Sequence, residues 1–327
     1  MVKKILGYGI ILLLVSSYGF SLSWKDFSFS GGVSTDYYTG EIREIVYPDQ
    51  GWANDYLSEL LWQIDNIVML TGHFKVSLSN FSLHLSAGTA LNKGTGGMDD
   101  YDWLNSSSKI WTNWSNSDIF LDKSVVIDSS LTYTFKPGST VTIPVGVGYK
   151  LNYLNWSDLG YKYIYYWDFK YNKYYTPILA GDWGGIPGIC YTFVQNMVYL
   201  NSGIQLHYRH FDISLSGSFS PLVFAWDLDH HLRNKKDGTG TFYHDSFISH
   251  VWYKVGGSLS YALENHRGII MLKTMFEELP EVQGDTYIYD ENSSDSTKIG
   301  TYTGSYKKGA GLASKIFSVS VEYTYRF

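Results

Sequence analysis

The chain has 327 residues, of which 29 are Tyr, 17 Phe and 11 Trp, with 32 Gly, a single Cys and a formal net charge of -6. A single cysteine excludes an internal disulfide framework, and the acidic balance argues against a nucleic-acid partner. Charged residues make up 17% of the chain, below the roughly 25% of soluble domains. We therefore expect an exported protein that is rich in β-structure and aromatic side chains.

Residues 1–21 predict a secretory signal peptide. Two lysines are followed by an apolar run over residues 5–15 and then by small residues, so cleavage is expected after Gly19 or Ser21. The apolar run is shorter than the roughly 20 residues that a membrane-spanning helix needs. The remaining chain, 22–327, shows no linker or repeat, and we predict that it forms a single β-barrel domain.

The mature chain alternates apolar and polar residues, which is the signature of membrane β-strands. The alternation is seen at 27–34, 81–88, 211–216 and 317–327. The last segment ends in Phe327 and is typical of the closing strand of a bacterial outer-membrane barrel. An edge strand of a soluble sandwich is the alternative reading of this segment.

Ten such segments fit the even strand number of bacterial barrels. The predicted strands are 26–47, 56–79, 81–99, 122–136, 140–157, 189–209, 211–229, 245–263, 267–284 and 308–327. Long polar loops are predicted at 100–121, 158–188, 230–244 and 285–307. Crossing a bilayer takes roughly 9–11 tilted residues, and several segments are much longer. The sequence therefore predicts an all-β, ten-stranded antiparallel outer-membrane β-barrel that extends above the membrane.

Two acidic clusters stand at strand ends. Asp100 and Asp102 lie in MDDYDW, and Asp227, Asp229 and His231 lie in DLDHH. Residues spaced two apart share one face of a strand. Each cluster follows its preceding short turn by about twenty residues, so that both are expected at matching heights above the lipid.

Strand parity decides which way these side chains point. If the alternation at 82–86 continues, the side chains of Met98, Asp100 and Asp102 point into the barrel. The same reasoning from its own strand points Glu44 inward. Alternation from 211–215 would instead carry Asp229 and His231 to the lipid side. We therefore predict a bulge or parity break between about 216 and 226, where glycine and proline interrupt the pattern.

These motifs resemble the omptin family, outer-membrane aspartyl-type endopeptidases built on ten-stranded barrels. MDDYDW is similar to the omptin M-x-D-x-D-W motif, and DLDHH to its D-x-D-x-H motif. Further similarity runs through REIVY at 43–47, LSELLWQIDN at 57–66, IWTNWS at 110–115 and the aromatic C-terminus. The resemblance covers nearly the whole mature chain and rests on the order and spacing of the motifs.

The resemblance implies an endopeptidase that cleaves polypeptides after a basic residue, on the extracellular side of the outer membrane. The implied catalytic residues are Asp100, Asp102, Asp229 and His231. The implied pocket for the basic side chain is lined by Glu44, Asp227, Met98 and Ile189. We expect a monomer whose partners are basic polypeptides and outer-membrane lipid.

Peptide hydrolysis by water needs a base and a group that stabilises the oxyanion. His231, with an ordinary pKa of about 6.5, is the predicted base, and Asp229 would fix its tautomer. Asp100 and Asp102 are not expected to ionise together, so one of them would hold a proton for the scissile carbonyl. No Ser or Cys nucleophile is required, and no acyl-enzyme is predicted.

Other readings of the same residues remain open. Taken alone, the cluster at 227–231 is typical of a solvated strand end or a weak cation site, and the pair Asp100 and Asp102 is typical of an acidic surface loop. No HExxH motif or Cys cluster predicts zinc. A non-enzymatic barrel acting as an adhesin would keep the strands. A small-solute porin and a lipid-modifying barrel enzyme are two further alternatives.

Asn113 departs from the family pattern, which usually has an acid shortly after the W-T of IWTNWS. In the family, this acid binds the basic substrate residue that follows the cut bond. Because Asn113 lacks the charge, we expect the preference for a basic residue at that substrate position to be weaker or different. The sequence therefore supports a preference for a basic residue before the cut bond, but not for one after it.

The family generally needs lipopolysaccharide, bound by a Tyr-x-Glu-x-Arg pattern and further basic residues. The corresponding positions here are Tyr149, Leu151 and Tyr153, with Val194 and Ile248 at two other basic positions. Phosphate recognition depends on Arg and Lys. We therefore predict no cofactor, and activity that does not depend on lipopolysaccharide.

Overall fold

The computed structural model describes residues 26–48, 52–168, 170–185, 187–232, 239–263, 267–292 and 295–327. The predicted signal peptide, 1–21, lies outside these residues. Within them the regular structure is β-sheet, and no helix is long and apolar enough to cross a membrane. The strands are β1 (Phe27–Val46), β2 (Ser58–Leu78), β3 (Phe81–Ala90), β4 (Gly96–Asp102), β5 (Asn113–Phe135), β6 (Val141–Asp168), β7 (Lys173–Trp183), β8 (Ile189–Tyr208), β9 (Phe211–His231), β10 (Thr241–Ser249), β11 (Trp252–Ala262), β12 (Gly268–Asn292) and β13 (Asp295–Arg326).

These segments form a closed antiparallel ring of ten barrel strands. β3 and β4 both pair with β2 and β5, and β10 and β11 both pair with β9 and β12. β7 and β8 both pair with β6. Each of these three couples is therefore one barrel strand in two segments. The ring closes where β1 pairs with β13, from Ser30 opposite Arg326 to Val46 opposite Ala310. The predicted ten-stranded barrel is confirmed.

The lower part of the barrel is apolar outside and polar inside. Ile213, Leu215 and Leu259 are about half exposed on the outer surface, whereas Ser214 and Ser258 between them face inward and are hydrogen-bonded to each other. Apolar side chains that face outward at this level are the lipid-contacting band of an outer-membrane barrel. The alternation is what the sequence predicted for the membrane strands.

Ion pairs fill the interior at the level of this band. Lys150 of β6 pairs with Glu277 of β12, and both side chains are nearly inaccessible. Lys254 of β11 lies 3.4 Å from Asp128 of β5. Buried charges are stable when they are paired in this way. The contacts therefore tie opposite walls of the barrel together below the site.

Above the band, the strands continue further than the sequence predicted. β5 begins at Asn113 rather than near 122, β6 runs on to Asp168, and most of 285–307 is a hairpin of β12 and β13. The predictions of long loops at 100–121, 158–188 and 285–307 were therefore largely wrong. Polar and aromatic residues occupy both faces of these upper strands, so that their sequence shows no alternation. Ring contacts between paired strands, such as Tyr289 with Tyr302, stabilise the pairing instead. Residues 233–238 of the fourth predicted loop lie outside the described residues.

The predicted parity break in β9 is confirmed. Val198 of β8 pairs with Leu222, but Leu200 pairs with Phe219, so that β9 carries one extra residue. Ser220 is fully buried at this point, and its hydroxyl donates to the Val198 carbonyl at 2.7 Å. Below the break odd-numbered residues face outward, and above it they face inward. One inserted residue is enough to switch the faces of the strand.

The neighbouring strand has a matching break between β10 and β11. His250 and Val251 are both exposed, between the buried Ser249 and Trp252. The ring nitrogen Nδ1 of His250 lies 3.2 Å from the carbonyl oxygen of Pro221, in the β9 bulge. Both strands therefore change parity at the same level, and the odd residues of β10 face the interior.

Candidate active site

All eight residues predicted for the site lie on the inner wall of the upper barrel. Glu44, Met98, Ile189, Asp227 and Asp229 are buried. The remaining three, Asp100, Asp102 and His231, are partly accessible. They come from β1, β4, β8 and β9, and the parity break brings the last group inside.

Asp229 and His231 form a close pair. Nε2 of His231 lies 2.5 Å from Oδ2 of Asp229, and the carboxylate is almost fully buried while a third of the imidazole side chain is accessible. Burial opposes the charged imidazolium, but the charge and hydrogen bond of Asp229, together with Asp100, raise the pKa of His231 to about 9. The imidazolium form of His231 is therefore favoured at neutral pH.

Asp100 and Asp102 stand opposite Leu60 and Ser58 of β2. The Ser58 hydroxyl donates to Oδ1 of Asp100 at 3.2 Å. Burial raises the pKa of Asp100 to about 6, although His231 opposes this shift. Burial and the charge of Asp100 raise the pKa of Asp102 well above its ordinary value. The couple therefore retains a proton at neutral pH, because two neighbouring carboxylates in a buried place do not both ionise.

The two pairs act on each other electrostatically. The positive charge of His231 lowers the pKa of Asp100, and the negative charge of Asp229 raises it. His231 also acts on Asp102. Residues of β4 and β9, far apart in the chain, are thus brought to one crevice. The arrangement provides a base, a group that orients it and a carboxylic acid.

Two further buried acids, Glu44 and Asp227, lie close to Asp229 and interact electrostatically with it. Trp62 Nε1 donates to Oε2 of Glu44 at 3.2 Å, and the Tyr191 hydroxyl donates to Oδ2 of Asp227 at 3.0 Å. The rings of Trp62 and Tyr191 stack with 4.7 Å between their centroids. Oδ1 of Asp227 is buried without a hydrogen-bond partner. Burial raises the pKa of both Glu44 and Asp227, and the negative charges of neighbouring carboxylates raise it further.

The predicted apolar walls are also buried at the site. Met98 stands opposite Trp62 in the pairing of β4 with β2. Ile189 opens β8 opposite His231, and its backbone N–H donates to Oδ1 of Asp158 at 2.6 Å. These contacts fix the backbone of one wall next to the imidazole.

Sequence reasoning missed several residues of the site. They share inward positions on strands next to the predicted residues: Ser58, Trp62, Asp158, Tyr165, Tyr191 and Asp245. Inward parity would have identified those on β2 and β8. Asp245 was hidden by the break between β10 and β11, which reverses the parity of its strand.

Asn113 is buried next to the aspartate couple. It pairs with Asp102 across β4 and β5, and its Oδ1 accepts the Trp167 backbone N–H at 3.2 Å. The side-chain oxygen is therefore already used by the protein. This contact is consistent with a neutral residue on this side of the crevice.

The fold and the site together define an outer-membrane barrel with an acidic crevice at its upper end. Residues 25–327 match the family model described as the Omptin family, and the chain belongs to this family. The crystal structure of outer membrane protease OmpT from Escherichia coli matches with a TM-score of 0.81 and 21% identity, covering 94% of this chain and 99% of that one.

Curated proteins are similar in sequence to this chain over nearly its whole length. "Plasminogen activator" of Yersinia pestis is 25% identical over 306 residues, which are 92% of this chain and 90% of that protein. "Protease 7" of Escherichia coli (strain K12) is 24% identical over 330 residues, 98% of each chain. The protein is therefore an outer-membrane protease, a hydrolase that acts on polypeptides.

Proposed function

We propose that this omptin is an aspartyl-type endopeptidase that cleaves polypeptides after Arg or Lys, by attack of an activated water molecule. The observation that carries the proposal is that two pairs lie close enough to influence each other: His231 hydrogen-bonded to Asp229 on β9, and Asp100 with Asp102 on β4. A water between a base and a proton-holding acid is what peptide hydrolysis without a protein nucleophile requires.

His231 is the proposed base. Its Nε2 is engaged by Asp229, which leaves Nδ1 to accept a proton from the water. With a pKa of about 9 for His231, only about 1% of the imidazole is neutral at pH 7 before a substrate binds. A cationic substrate side chain beside Asp227 disfavours the imidazolium and increases the neutral fraction. The water's proton then passes through His231 to the leaving amine.

The aspartate couple is the proposed electrophilic partner. Asp102 holds its proton because burial and Asp100 raise its pKa. The protonated carboxyl donates a hydrogen bond to the scissile carbonyl, whose oxygen gains negative charge in the transition state. Asp100, held by Ser58, faces the imidazolium that forms during attack.

Glu44 and Asp227 are the proposed acids of the primary specificity pocket. Both are buried, and the free oxygen of Asp227 lacks a donor in the protein. An Arg or Lys side chain would supply N–H donors and positive charge, while Met98 and Ile189 pack on its methylene stem. An apolar substrate side chain would leave the carboxylates without a partner.

The catalytic end is proposed to face outward from the cell, with no requirement for lipopolysaccharide. The ends of the barrel chain, Phe27 and Phe327, lie at the opposite end, below the apolar band. Tyr149 on the outer wall donates to Oδ1 of Asn196 at 2.7 Å, and Ile248 is 57% exposed. These neutral side chains favour contact with acyl chains over phosphate. We propose that the protein works as a monomer surrounded by outer-membrane lipid.

The test uses protein refolded in detergent free of lipopolysaccharide, with a fluorogenic peptide centred on Arg. Wild type is expected to cleave after Arg, and Asp100→Ala and His231→Ala are expected to lose at least about 10²-fold in kcat/KM. Asp118→Ala and His210→Ala are matched controls, because both side chains are exposed away from the crevice. Equal hydrolysis by wild type and both site variants would refute the proposal. A wild-type protein that cleaves no peptide but binds host surfaces would favour the alternative that the barrel is a non-enzymatic adhesin.

A further inference from the structure

Asp245 of β10 is a buried carboxyl that the proposed mechanism does not use. Only 4% of the residue is exposed, and Oδ1 is buried without a hydrogen-bond partner. It stands directly opposite Asp227 in the pairing of β10 with β9. Thr286 of β12 faces this carboxyl and opposes the rise of its pKa that burial causes. One oxygen of Asp245 therefore remains available for a ligand.

Asp245 belongs electrostatically to the specificity pocket. Among neighbouring charges, it has the largest effect on Asp227, and it also acts on Glu44 across the barrel. The three carboxyls come from β1, β9 and β10 and act on one another. Two of them, Asp227 and Asp245, each keep a buried oxygen without a donor.

Buried carboxylate oxygens without donors are destabilising unless a ligand supplies N–H groups or positive charge. Within the described residues, no group of three or more carboxylate, imidazole or thiol side chains is arranged to hold a metal ion. An organic cation with several N–H donors is therefore the ligand that fits. The lysine ammonium and the arginine guanidinium are the two side chains of this kind.

We propose that Asp245 is a third specificity-determining residue of the pocket, which completes with Glu44 and Asp227 a three-carboxyl receptor for the cationic substrate side chain and favours Lys in particular. The inference rests on the proposed function and names a further contact of its pocket. An ammonium group is compact and has three N–H donors that point apart, so it gains from acceptors on three sides. A planar guanidinium keeps a bidentate contact when one of the acids is neutral.

Cation binding is accompanied by proton release in this arrangement. Burial raises the pKa of Asp245 to about 7, with Asp229 adding to the shift and Thr286 opposing it. The other groups that act on the three carboxyls are Asp229, the hydroxyl of Tyr191, the indole N–H of Trp62 and the backbone N–H of Asp245. A cation next to Asp245 favours its ionised form, so the proton leaves when the ligand binds.

The experiment measures binding of Nα-acetyl-lysine amide and Nα-acetyl-arginine amide to the refolded full chain by titration calorimetry in two buffers of different ionisation enthalpy. In Asp245→Asn, we expect lysine amide to bind about tenfold more weakly and arginine amide about threefold more weakly. The number of protons released near pH 7 is expected to fall, because Asp245 no longer contributes one. Asp118→Asn removes the same charge at an exposed position of β5 and is expected to change nothing. Asp245→Ser, which is smaller and uncharged, is a second variant.

Equal affinities of wild type and both Asp245 variants for lysine amide, in protein that is folded by circular dichroism, would overturn the inference. Displacement of the amides by micromolar Ca²⁺ would also overturn it, because the pocket would then be a metal site. Hydrolysis of the Arg-centred peptide is measured on the same samples. A wild type that binds both amides with the expected difference but cleaves no peptide would refute the proposed function and leave the three-carboxyl receptor standing.

Discussion

Nε2 of His231 lies 2.5 Å from Oδ2 of Asp229, and the two residues are neighbours on the same face of one strand. Spacing of two along β9 is what allows this contact, since residues i and i+2 point the same way. The carboxylate is buried, so its interaction with the imidazole is weakly screened by water. The strand itself therefore orients the proposed base.

Asp229→Asn should test whether the charge of Asp229 sets the pKa of His231 and supports catalysis. The variant keeps the shape of the side chain but removes the charge that stabilises the imidazolium, so the pKa of His231 should fall below its value of about 9. We expect kcat to fall by about 10³- to 10⁴-fold, as for other base-orienting acids. Steady-state kinetics and an NMR titration of labelled histidine check the two effects. An unchanged His231 titration would contradict this account of the pair.

The rate should rise with pH on the alkaline side of neutrality. The base acts in its neutral form, and a raised His231 pKa of about 9 means that this form grows as pH increases from 7 to 9. Asp100→Asn removes a negative charge that favours the imidazolium, so the rising limb of kcat/KM should move to lower pH in the residual activity. Profiles of both proteins between pH 6 and 10 provide the measurement. A shift to higher pH would show that the sign of the interaction is wrong.

The one-residue insertion in β9 should be essential for activity. Deleting Pro221 restores strict alternation and turns Asp227, Asp229 and His231 toward the outside. We expect the deletion variant to lose peptide hydrolysis entirely, whereas Pro221→Ala keeps the length of the strand and should retain activity within about twofold. Circular dichroism checks that both variants keep their β-structure. Activity of the folded deletion variant would refute the role of the break.

Glu44→Gln should change selectivity more than turnover. The amide keeps a partner for the Trp62 N–H at 3.2 Å but removes a pocket charge. We expect KM for an Arg peptide to rise about tenfold or more, with a smaller change in kcat. A matched peptide with norleucine before the cut bond is expected to be cleaved poorly by wild type, and its cleavage should be unaffected by the substitution. A similar loss for both peptides would place the effect of Glu44 outside the pocket.

Lys150→Met should destabilise the barrel. It leaves Glu277 charged and unpaired in the interior, and removal of one partner of a buried pair typically costs about 3–5 kcal/mol. The double variant with Glu277→Leu removes both charges and should recover much of this loss. Unfolding in urea, followed by tryptophan fluorescence, measures both free energies. Equal stability of Lys150→Met and wild type would show that the pair is not needed.

The sequence was sufficient to predict the lower barrel and to place the proposed site residues on the inner wall of the barrel. Alternation predicts the membrane strands because lipid on one side and a polar interior on the other impose opposite chemistry on successive residues. The break in β9 was predicted from Gly217 and Pro221, because strict alternation would have turned Asp229 and His231 toward the lipid. Both inferences use local chemistry that the sequence states directly.

The upper strands could not be predicted in this way. Water lies outside that part of the barrel, so polar residues such as Asn116 and Lys162 are paired neighbours in β5 and β6 although they read as loop. Asp245 was missed because a second break, at His250, reverses parity without a proline or glycine to mark it. Only the pairing of whole strands shows where such residues point.

The seam between β1 and β13 has a consequence for the order of assembly. The backbone N–H of Phe327 donates to the carbonyl of Phe29 at 3.0 Å, so that the two ends of the barrel sequence are hydrogen-bonded neighbours. In the part of the chain that the structure describes, every other pairing between barrel strands joins strands that are consecutive along the chain. Such hairpins are expected to form early, because little loop entropy opposes them. The cylinder can close only after its final strand has arrived, and an unfinished chain is left with two unpaired edges inside the lipid.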